Sequence, residues 1–443
     1  MQQEYRRCAG MDVHKDVIEV CVLGPNGSGE LTRRRFGTFT ADLIQLRMWL
    51  VSLRVTDAAM ESTGTYWIPL WRQLEGHIPK RVLANPYQVK ALAGRKSDRR
   101  DSKRIAEFLQ DWRLDSSFVP PPEIRQLREL LRMRVTVVQE RNRLSNRVEK
   151  LLQSYGVKLS SVASDILGKT GERILQAMAQ GQTDPERLSW KAVGKLRDKE
   201  EELRQALRAS FDDHARWVLG ELLGSLKENE GQRERLERRI LTVMQPYQDR
   251  VTRLSTIPGV DQVAAWSLIA ELGVDMIVFP DERHCASWAG LCPGSKESAG
   301  KQQSTRTRPG NRYLRRVLVQ SAWAASRCKK GHLQAVFRRI AGRRGMKKAA
   351  VAVAHRILVA AYHILRDNTV YVDLGEDYLD MLNPERTARR LTRRLEMIGY
   401  QVTLTRGSQA GKAEPATTTQ TARKRGRPCK CLERGVDCKH RGL

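Results

Sequence analysis

Aromatic side chains are scarce. Seven Phe, nine Trp and ten Tyr make up 6% of the 443 residues. No cluster among them resembles the stacking platforms by which single-strand RNA readers hold bases. Carboxylates are also in short supply: 50 Asp and Glu face 79 Lys and Arg, a net charge of +29. That balance points to a polyanionic partner, with nucleic acid first. A membrane surface ranks second, because the cations are spread along the chain and do not form one amphipathic helix. The eight cysteines are scattered and five are isolated, which suits a reducing cytoplasm better than a disulfide scaffold. There is no long hydrophobic run. The longest, residues 349–365, carries His355 and Arg356 at its centre and is too short and too charged to span a bilayer. The opening MQQEYRRCAGMDVHKDV has no apolar core, so no secretory signal is expected. Gly168-Lys169-Thr170 imitates the end of a Walker A loop, but the glycine required five positions earlier is Ala163; ATP is not implied.

Forty per cent of the residues are apolar, enough for real cores, and the length allows roughly two to four domains. Residues 8–24 read as one strand closed by Pro25-Asn26-Gly27-Ser28-Gly29, with a second strand in RRRFGTFT. A helix follows over 41–54, then a short buried strand in TDAAMEST, a helix in WIPLWRQLEG, a strand in KRVLANP and a helix in SDRRDSKRIAEFLQDW. This is an α/β domain, residues 1–119. Pro120-Pro121-Pro122 marks a boundary. Residues 120–250 form a charged helical arm of coiled-coil type, with Leu144, Val148, Leu151 and Tyr155 stepping by 4, 3 and 4. Residues 251–370 form a third, mostly α region. It opens on a helix-hairpin-helix-like segment whose Pro258-Gly259 turn could offer N–H groups to phosphate, followed by a Gly/Ser/Lys-rich loop over 290–318. Residues 371–443 are an extension ending in a polar, basic tail expected to be disordered.

The stretch GRKSDRRDSKRI (94–105) sets Asp98 and Asp101 among Arg95, Lys96, Arg99, Arg100, Lys103 and Arg104. Residues three apart share a helix face. Taken alone, the pair reads as ion-pair partners on a solvated face. Glu61, ending a strand, reads alone as a cap or a hydrogen-bonded acid. Asp12 is different, because a carboxylate between Met11 and Val13 in an apolar strand is costly to bury without a cation or donor; Lys15 could serve. Together the four could hold the paired hard cations that in-line phosphoryl displacement uses, while the neighbouring cations hold a nucleic-acid backbone. Ser295, Ser298 and Ser304 cannot be ranked by chemistry alone, since a hydroxyl is a poor nucleophile without a base or metal.

GMDVHKD, ESTGTYW, NPYQVKALAGRKSDRRDSKRIAEFL, TIPGV and GLCPGSKESAGK…RPGNRYLRRVL, in this order, resemble the DEDD insertion-sequence transposases. The resemblance covers about residues 8–112 and 253–330. It implies a resolvase-like, RNase H-like N-terminal domain with Asp12, Glu61, Asp98 and Asp101 as Mg2+ ligands, and a separate serine-bearing C-terminal domain. Ser298-Ala299-Gly300-Lys301 fits the family's serine element with one departure, Ala299 for glycine, which stiffens the loop. By resemblance Ser298 attacks a DNA phosphodiester and forms a transient phosphoserine link. Gly310-Asn311 and Arg315 match the GN…LR element, and Lys301, Asn311, Arg312 and Arg315 become nucleic-acid contacts, with helix surface as the plain alternative for the arginines. The resemblance further implies donor and target DNA, a structured bridge RNA as guide, a homodimer or homotetramer, and the cytoplasm and nucleoid of a prokaryote.

Two tail features lie outside the family pattern. Arg425-Gly426-Arg427-Pro428 is an AT-hook-like core that could place Arg425 and Arg427 in a narrow minor groove. Cys429, Cys431, Cys438 and His440 could supply four Zn2+ ligands, at a spacing unlike a standard finger. Two other function classes stay open: a metal-dependent Holliday-junction resolvase or nuclease without serine chemistry, and a non-enzymatic DNA-binding protein.

Overall fold

A computed structural model describes residues 6–405 except 26–27, 62–63, 85–97, 295, 299–300, 305 and 308; for 98–100, 296–298 and 301–304 it describes the backbone alone. Met1–Leu379 form one compact unit and Asp380–Leu443 a second.

The N-terminal sheet has five strands in the order β3-β2-β1-β4-β5: β1 (Cys8–Val13), β2 (Ile18–Leu23), β3 (Leu31–Phe36), β4 (Asp57–Glu61) and β5 (Lys80–Ala84). β1, β2 and β3 pair antiparallel, whereas β4 joins β1 and β5 joins β4 in parallel. The stretch expected as one strand over 8–24 is two. It folds back at 14–17, where His14 N–H donates to the Val17 carbonyl at 2.9 Å. The apolar content of both arms hides a turn that contains no Gly, Pro or Asn.

Alternation divides the sheet residues between two faces. Ala9, Met11, Val13, Val20 and Met60 pack with Leu43, Leu46, Leu50, Leu70 and Leu74 from α1 (Thr40–Ser52) and α2 (Trp67–Leu74). Cys8, Ala59 and Val82 point the other way, against Ile105 and Leu109 of α3 (Asp98–Gln110). α3 buries Ser102, Ile105, Ala106 and Leu109, a stripe at helical spacing. It lies so close to β1 that a Cβ on Gly10 would stand 2.2 Å from the Ser102 carbonyl oxygen and 2.3 Å from the Ala106 nitrogen.

α4 (Pro122–Ser154) starts inside the proline triplet, with Pro122 at a position where a missing N–H costs nothing. At 33 residues it is ~50 Å long. Its apolar stripe meets α5 (Asp213–Met244), which runs back alongside it, as the Arg134–Glu237 ion pair at 2.7 Å fixes. Between the two, residues 157–211 close the far end of the arm as a small helical cap with its own core. The near end is different. Ile124, Leu127 and Leu131 of α4 belong to the largest core, which runs through α7 (Gln262–Leu272) to α11 (Met346–Asp367).

α6 (Gln248–Leu254) and α7 form the expected helical hairpin. Gly259, at φ +85°, is pressed on α9 (Arg312–Ala325), where a Cβ would lie 2.3 Å from the Ser321 carbonyl oxygen. Val260 N–H is taken by the Ile257 carbonyl at 3.0 Å. The Gly/Ser/Lys-rich loop is not all loop. After α8 (Glu282–Trp288), β6 (Lys296–Ser298) and β7 (Lys301–Ser304) pair as an antiparallel hairpin. α10 (His332–Arg344) leads to α11, whose length and hydropathy would allow a membrane crossing. Ten of its residues, Tyr362 among them, are instead buried in the protein core. In the second unit, α12 (Pro384–Met397) is capped by the Asn383 side chain, and none of its residues is buried.

Candidate active site

Asp12 lies next to last on β1, and Glu61 is the last residue of β4. The parallel register pairs Cys8 with Asp57 and Met11 with Met60, so the next step sets Asp12 beside Glu61. Both side chains therefore share the α3 face, on strands ~4.8 Å apart. α3 runs antiparallel to β1. Its last residue reaches the start of the hairpin, where Gln110 Nε2 donates to the Gly24 carbonyl at 2.8 Å. Its first turn, with Asp98 and Asp101, therefore lies toward the Asp12–Glu61 end. Residues 98, 101 and 105 step by three and four along the helix, on the side that carries buried Ile105.

Asp12 is 9% exposed. His14 Nε2 lies 3.2 Å from its carboxylate, a neighbour the sequence reading did not single out. Asp101 is half-buried, 3.8 Å from the Arg104 guanidinium. A cavity of about 210 Å³ beside this end is lined in part by His14, Lys15, Thr38, Thr65 and Tyr66. Among the described residues no three acidic, His or Cys side chains gather closely enough to chelate an ion; the Asp98 side chain is not among them. The donors on this face are carboxylate oxygens, which suit a hard divalent cation and not a soft one.

The same register extends the row outward. Asp12 is opposite Glu19 on β2, and Glu19 is opposite Arg35 on β3. Arg35 Nε lies 3.4 Å from the Glu19 carboxylate. One cross-strand row thus reads Arg35, Glu19, Asp12, Glu61. Glu19 and Arg35 were missed because neither falls in a recognisable motif. Their signal was alternation: in IEVCVL the odd-numbered positions share the Asp12 face.

Ser298 ends β6 and is in register with Lys301 at the start of β7. Behind the hairpin the chain is tied down. Pro293 and Thr307 form a bridge, and Asn311 N–H donates to the Trp288 carbonyl at 3.3 Å. The Asn311 side-chain oxygen caps α9 by accepting from the Tyr313 and Leu314 N–H groups, both at 3.1 Å. Its amide nitrogen donates to Glu271 at 2.6 Å. Arg315 donates to the Gly290 carbonyl at 3.2 Å. Both residues of the GN…LR element expected on nucleic acid are thus hydrogen-bonded within the protein, while Arg312 is exposed beside Tyr313.

Glu271 is a buried acid, 3% exposed, that sequence reasoning missed altogether. Arg132 grips it with two bonds of 2.8 Å, and Arg128 Nε lies 3.3 Å away. Arg128 also donates to the Ala270 and Glu271 carbonyls. Burial pushes the Arg128 guanidinium down to about 10, against the pull of Glu271. One helical turn earlier, Arg125 holds Glu75 at the end of α2 with bonds of 3.0 and 2.6 Å. These bonds hold the Glu75 carboxyl below its usual range, against the opposing effect of burial. The root of α4 therefore clasps the sheet domain on one side and the serine-bearing domain on the other.

Residues 9–157 match the family model for DEDD transposases of IS110, described as a transposase. Residues 251–338 match a second model, described as the Transposase IS116/IS110/IS902 family. The chain belongs to the IS110 family of transposases. Over 155 residues it is 30% identical to the insertion element IS110 uncharacterized 43.6 kDa protein of Streptomyces coelicolor, covering 35% of this chain and 38% of that protein. Over 157 residues it is 26% identical to the transposase for insertion sequence element IS1533 of Leptospira borgpetersenii, covering 34% and 44%. The chain thus spans less than half the length of these curated relatives. Between the two family matches lie residues 158–250, the arm's cap and its returning helix.

Other expected contacts fall where the structure gives no side chain. Arg95 and Lys96 lie outside the described residues, as do Arg425, Arg427, Cys429, Cys431, Cys438 and His440; Asp98, Arg99, Arg100, Ser298 and Lys301 are placed by backbone only.

Proposed function

We propose that the chain is a DNA transposase that cuts and rejoins insertion-element DNA, using an acidic site in an RNase H-like domain and a nucleophilic serine. The observation that carries this reading is that Asp12 and Glu61, on adjacent parallel strands, share the sheet face whose same end is overlain by the first turn of α3. Asp12, Glu61, Asp98 and Asp101 would hold Mg2+. Bound there, the cation would supply Lewis-acid stabilisation of charge on a phosphodiester.

The remaining steps belong to the chain's own groups. His14, beside Asp12, orients its carboxylate. Ser298 gives up its hydroxyl proton as its oxygen bonds to phosphorus. The P–O bond to one sugar breaks, and that sugar leaves as a hydroxyl. Reversal by a second DNA end rejoins the strand with no outside energy. Lys301, opposite Ser298 in the hairpin register, supplies positive charge where the phosphate charge grows. Asn311 caps α9 and ties the chain behind the hairpin to Glu271. Target choice by a structured RNA paired to both DNAs accords with the net +29. The two sites would meet between copies of the chain, held by the α4–α5 arm; sedimentation as a monomer at micromolar concentration would end that part of the reading.

The test combines full-length protein, magnesium, the flanking transcript and labelled donor and target DNA on a denaturing gel. A protein-linked DNA band should form, and should vanish in Ser298→Ala and in Asp12→Asn while both variants stay folded. Cleavage without an adduct, indifferent to Ser298→Ala, would establish a metal-dependent nuclease instead.

A further inference from the structure

Strand β3 is the outer edge of the sheet, and every residue in it except Phe36 is exposed. Its sequence is LTRRRF. Three consecutive arginines lie on this edge, which no other strand pairs with among the described residues. Alternation sends Arg33 and Arg35 to the face that carries α3 and the acidic row, while Arg34 turns to the other face, 4.9 Å over the Phe36 ring. Arg33 is opposite Cys21 in the register and Arg35 is opposite Glu19. Ala106 of α3 packs against Cys21 and Leu23 of β2, so the helix covers the strand next to β3. The arginines of β3 therefore border the α3 face of the sheet, and Arg35 lies in the Asp12 row itself.

Resting on the function proposed above, we propose that the β3 edge is a track for the phosphate backbone of a DNA strand, which Arg33 and Arg35 guide toward Asp12 and Glu61 while Arg34 holds it from the other side of the edge. Arginine suits phosphate through its planar, forked donors, and outward-facing main-chain N–H groups of an edge strand add contacts that carry no sequence information. The alternative occupant of an open edge is the same edge of a second copy. Charge opposes it: antiparallel pairing centred on Arg34 would set Arg34 against Arg34 and Arg33 against Arg35. Like charges directly opposite destabilise a strand pair, and edge cations are a common guard against such pairing.

The test is fluorescence anisotropy of full-length protein on a labelled duplex carrying the element end, in EDTA, over a series of KCl concentrations. EDTA removes cleavage from the readout. Three variants are compared with wild type: R33Q/R34Q/R35Q, R33K/R34K/R35K, and the arm-cap control R173Q/R187Q/R208Q. Each lost phosphate contact lowers the slope of log K against log salt by ~0.9 on duplex DNA. The glutamine variant should therefore lose about two to three units of slope, and the lysine variant should keep it. The substituted side chains are exposed, and thermal melting verifies that the variants fold. An unchanged slope in the glutamine variant overturns the inference. So does an equal loss in the arm-cap control, which would mean diffuse charge instead of a track. A loss seen only with the flanking transcript would assign the edge to RNA, and dissociation of a dimer without a slope change would assign it to a second copy; either result overturns the inference. If wild type shows no salt-dependent DNA binding at all, the proposed function fails with it. If only the β3 effect is absent while the adduct assay succeeds, that function stands.

Discussion

Replacing Glu271 with methionine removes one carboxylate and strands three donors. Arg132 is 37% exposed and can turn to water beside Tyr313, over whose ring it already lies at 4.3 Å. Arg128 cannot. Its side chain is 14% exposed, and it would keep its charge in a poorly solvated site. The Asn311 amide loses its 2.6 Å acceptor. Removing one partner of a buried ion pair costs about 3–5 kcal/mol, mostly as the penalty on the charge left behind. That places Glu271→Met near 3 kcal/mol, with Arg128 as the main source. A double-mutant cycle isolates the stranded charge. If the penalty is a stranded cation, Arg128→Met should relieve much of it, and the two substitutions should couple by about 1.5–3 kcal/mol. Denaturant unfolding followed by circular dichroism gives all four stabilities. A cost below about 1 kcal/mol for Glu271→Met, or additive effects within about 0.5 kcal/mol, would refute the picture of Glu271 as the acid that joins arm and serine-bearing domain.

Two further outcomes follow from the sheet domain. Gly10→Ala puts a methyl 2.2 Å from the Ser102 carbonyl oxygen; overpacking of this kind costs about 1–3 kcal/mol, and because it lifts α3 from β1, DNA cleavage should fall more steeply than the melting temperature. Asp57 is 4% exposed and paired with Arg6 at 2.6 Å. Burial alone would raise its carboxyl, but hydrogen bonds from Arg6 and Thr56 and the charges of Arg6 and Lys80 hold it below the usual range. Its contribution is therefore complete above its unfolded pKa of about 3.9 and disappears as pH falls through the lower folded value. Asp57→Asn should lose about 3 kcal/mol at pH 7 and show a flatter acid limb below pH 4; an identical acid limb in both proteins would contradict the assignment.

Much of the sheet domain was legible because its residues follow the period their element requires. Leu43, Leu46 and Leu50 announce α1, and Ile105, Ala106 and Leu109 announce α3. Asp12 could be singled out because a carboxylate in an apolar strand needs a reason, and the i, i+3 spacing of Asp98 and Asp101 shows only on a helix. What failed was local punctuation. The 14–17 turn has no turn residue beyond Asp16, so two strands read as one. The Ser298 hairpin pairs KES with KQQS, which has no apolar alternation to betray a strand. The Glu271 clasp was out of reach for another reason: its arginines are 139 and 143 residues away, and neither end carries a local sign of the other. The packing need for Gly259 was equally hidden, because it comes from α9 crossing behind the turn, a tertiary fact.

The root of α4 has a consequence for the order in which the chain is made. Ile124, Leu127 and Leu131 complete a core whose last members are Ile364 and Leu365, about 240 residues later. At roughly 5–20 residues per second, the apolar stripe of a finished helix waits on the order of ten to fifty seconds for its counterpart to emerge from the ribosome. The sheet domain and the arm's cap can both close in that interval, since each has its own core. The clasp at Glu271 must wait until residue 271 has been made. Nascent chains therefore pass through a stage in which the Asp12–Glu61 end of the sheet is already formed while the hairpin that bears Ser298 has yet to be translated.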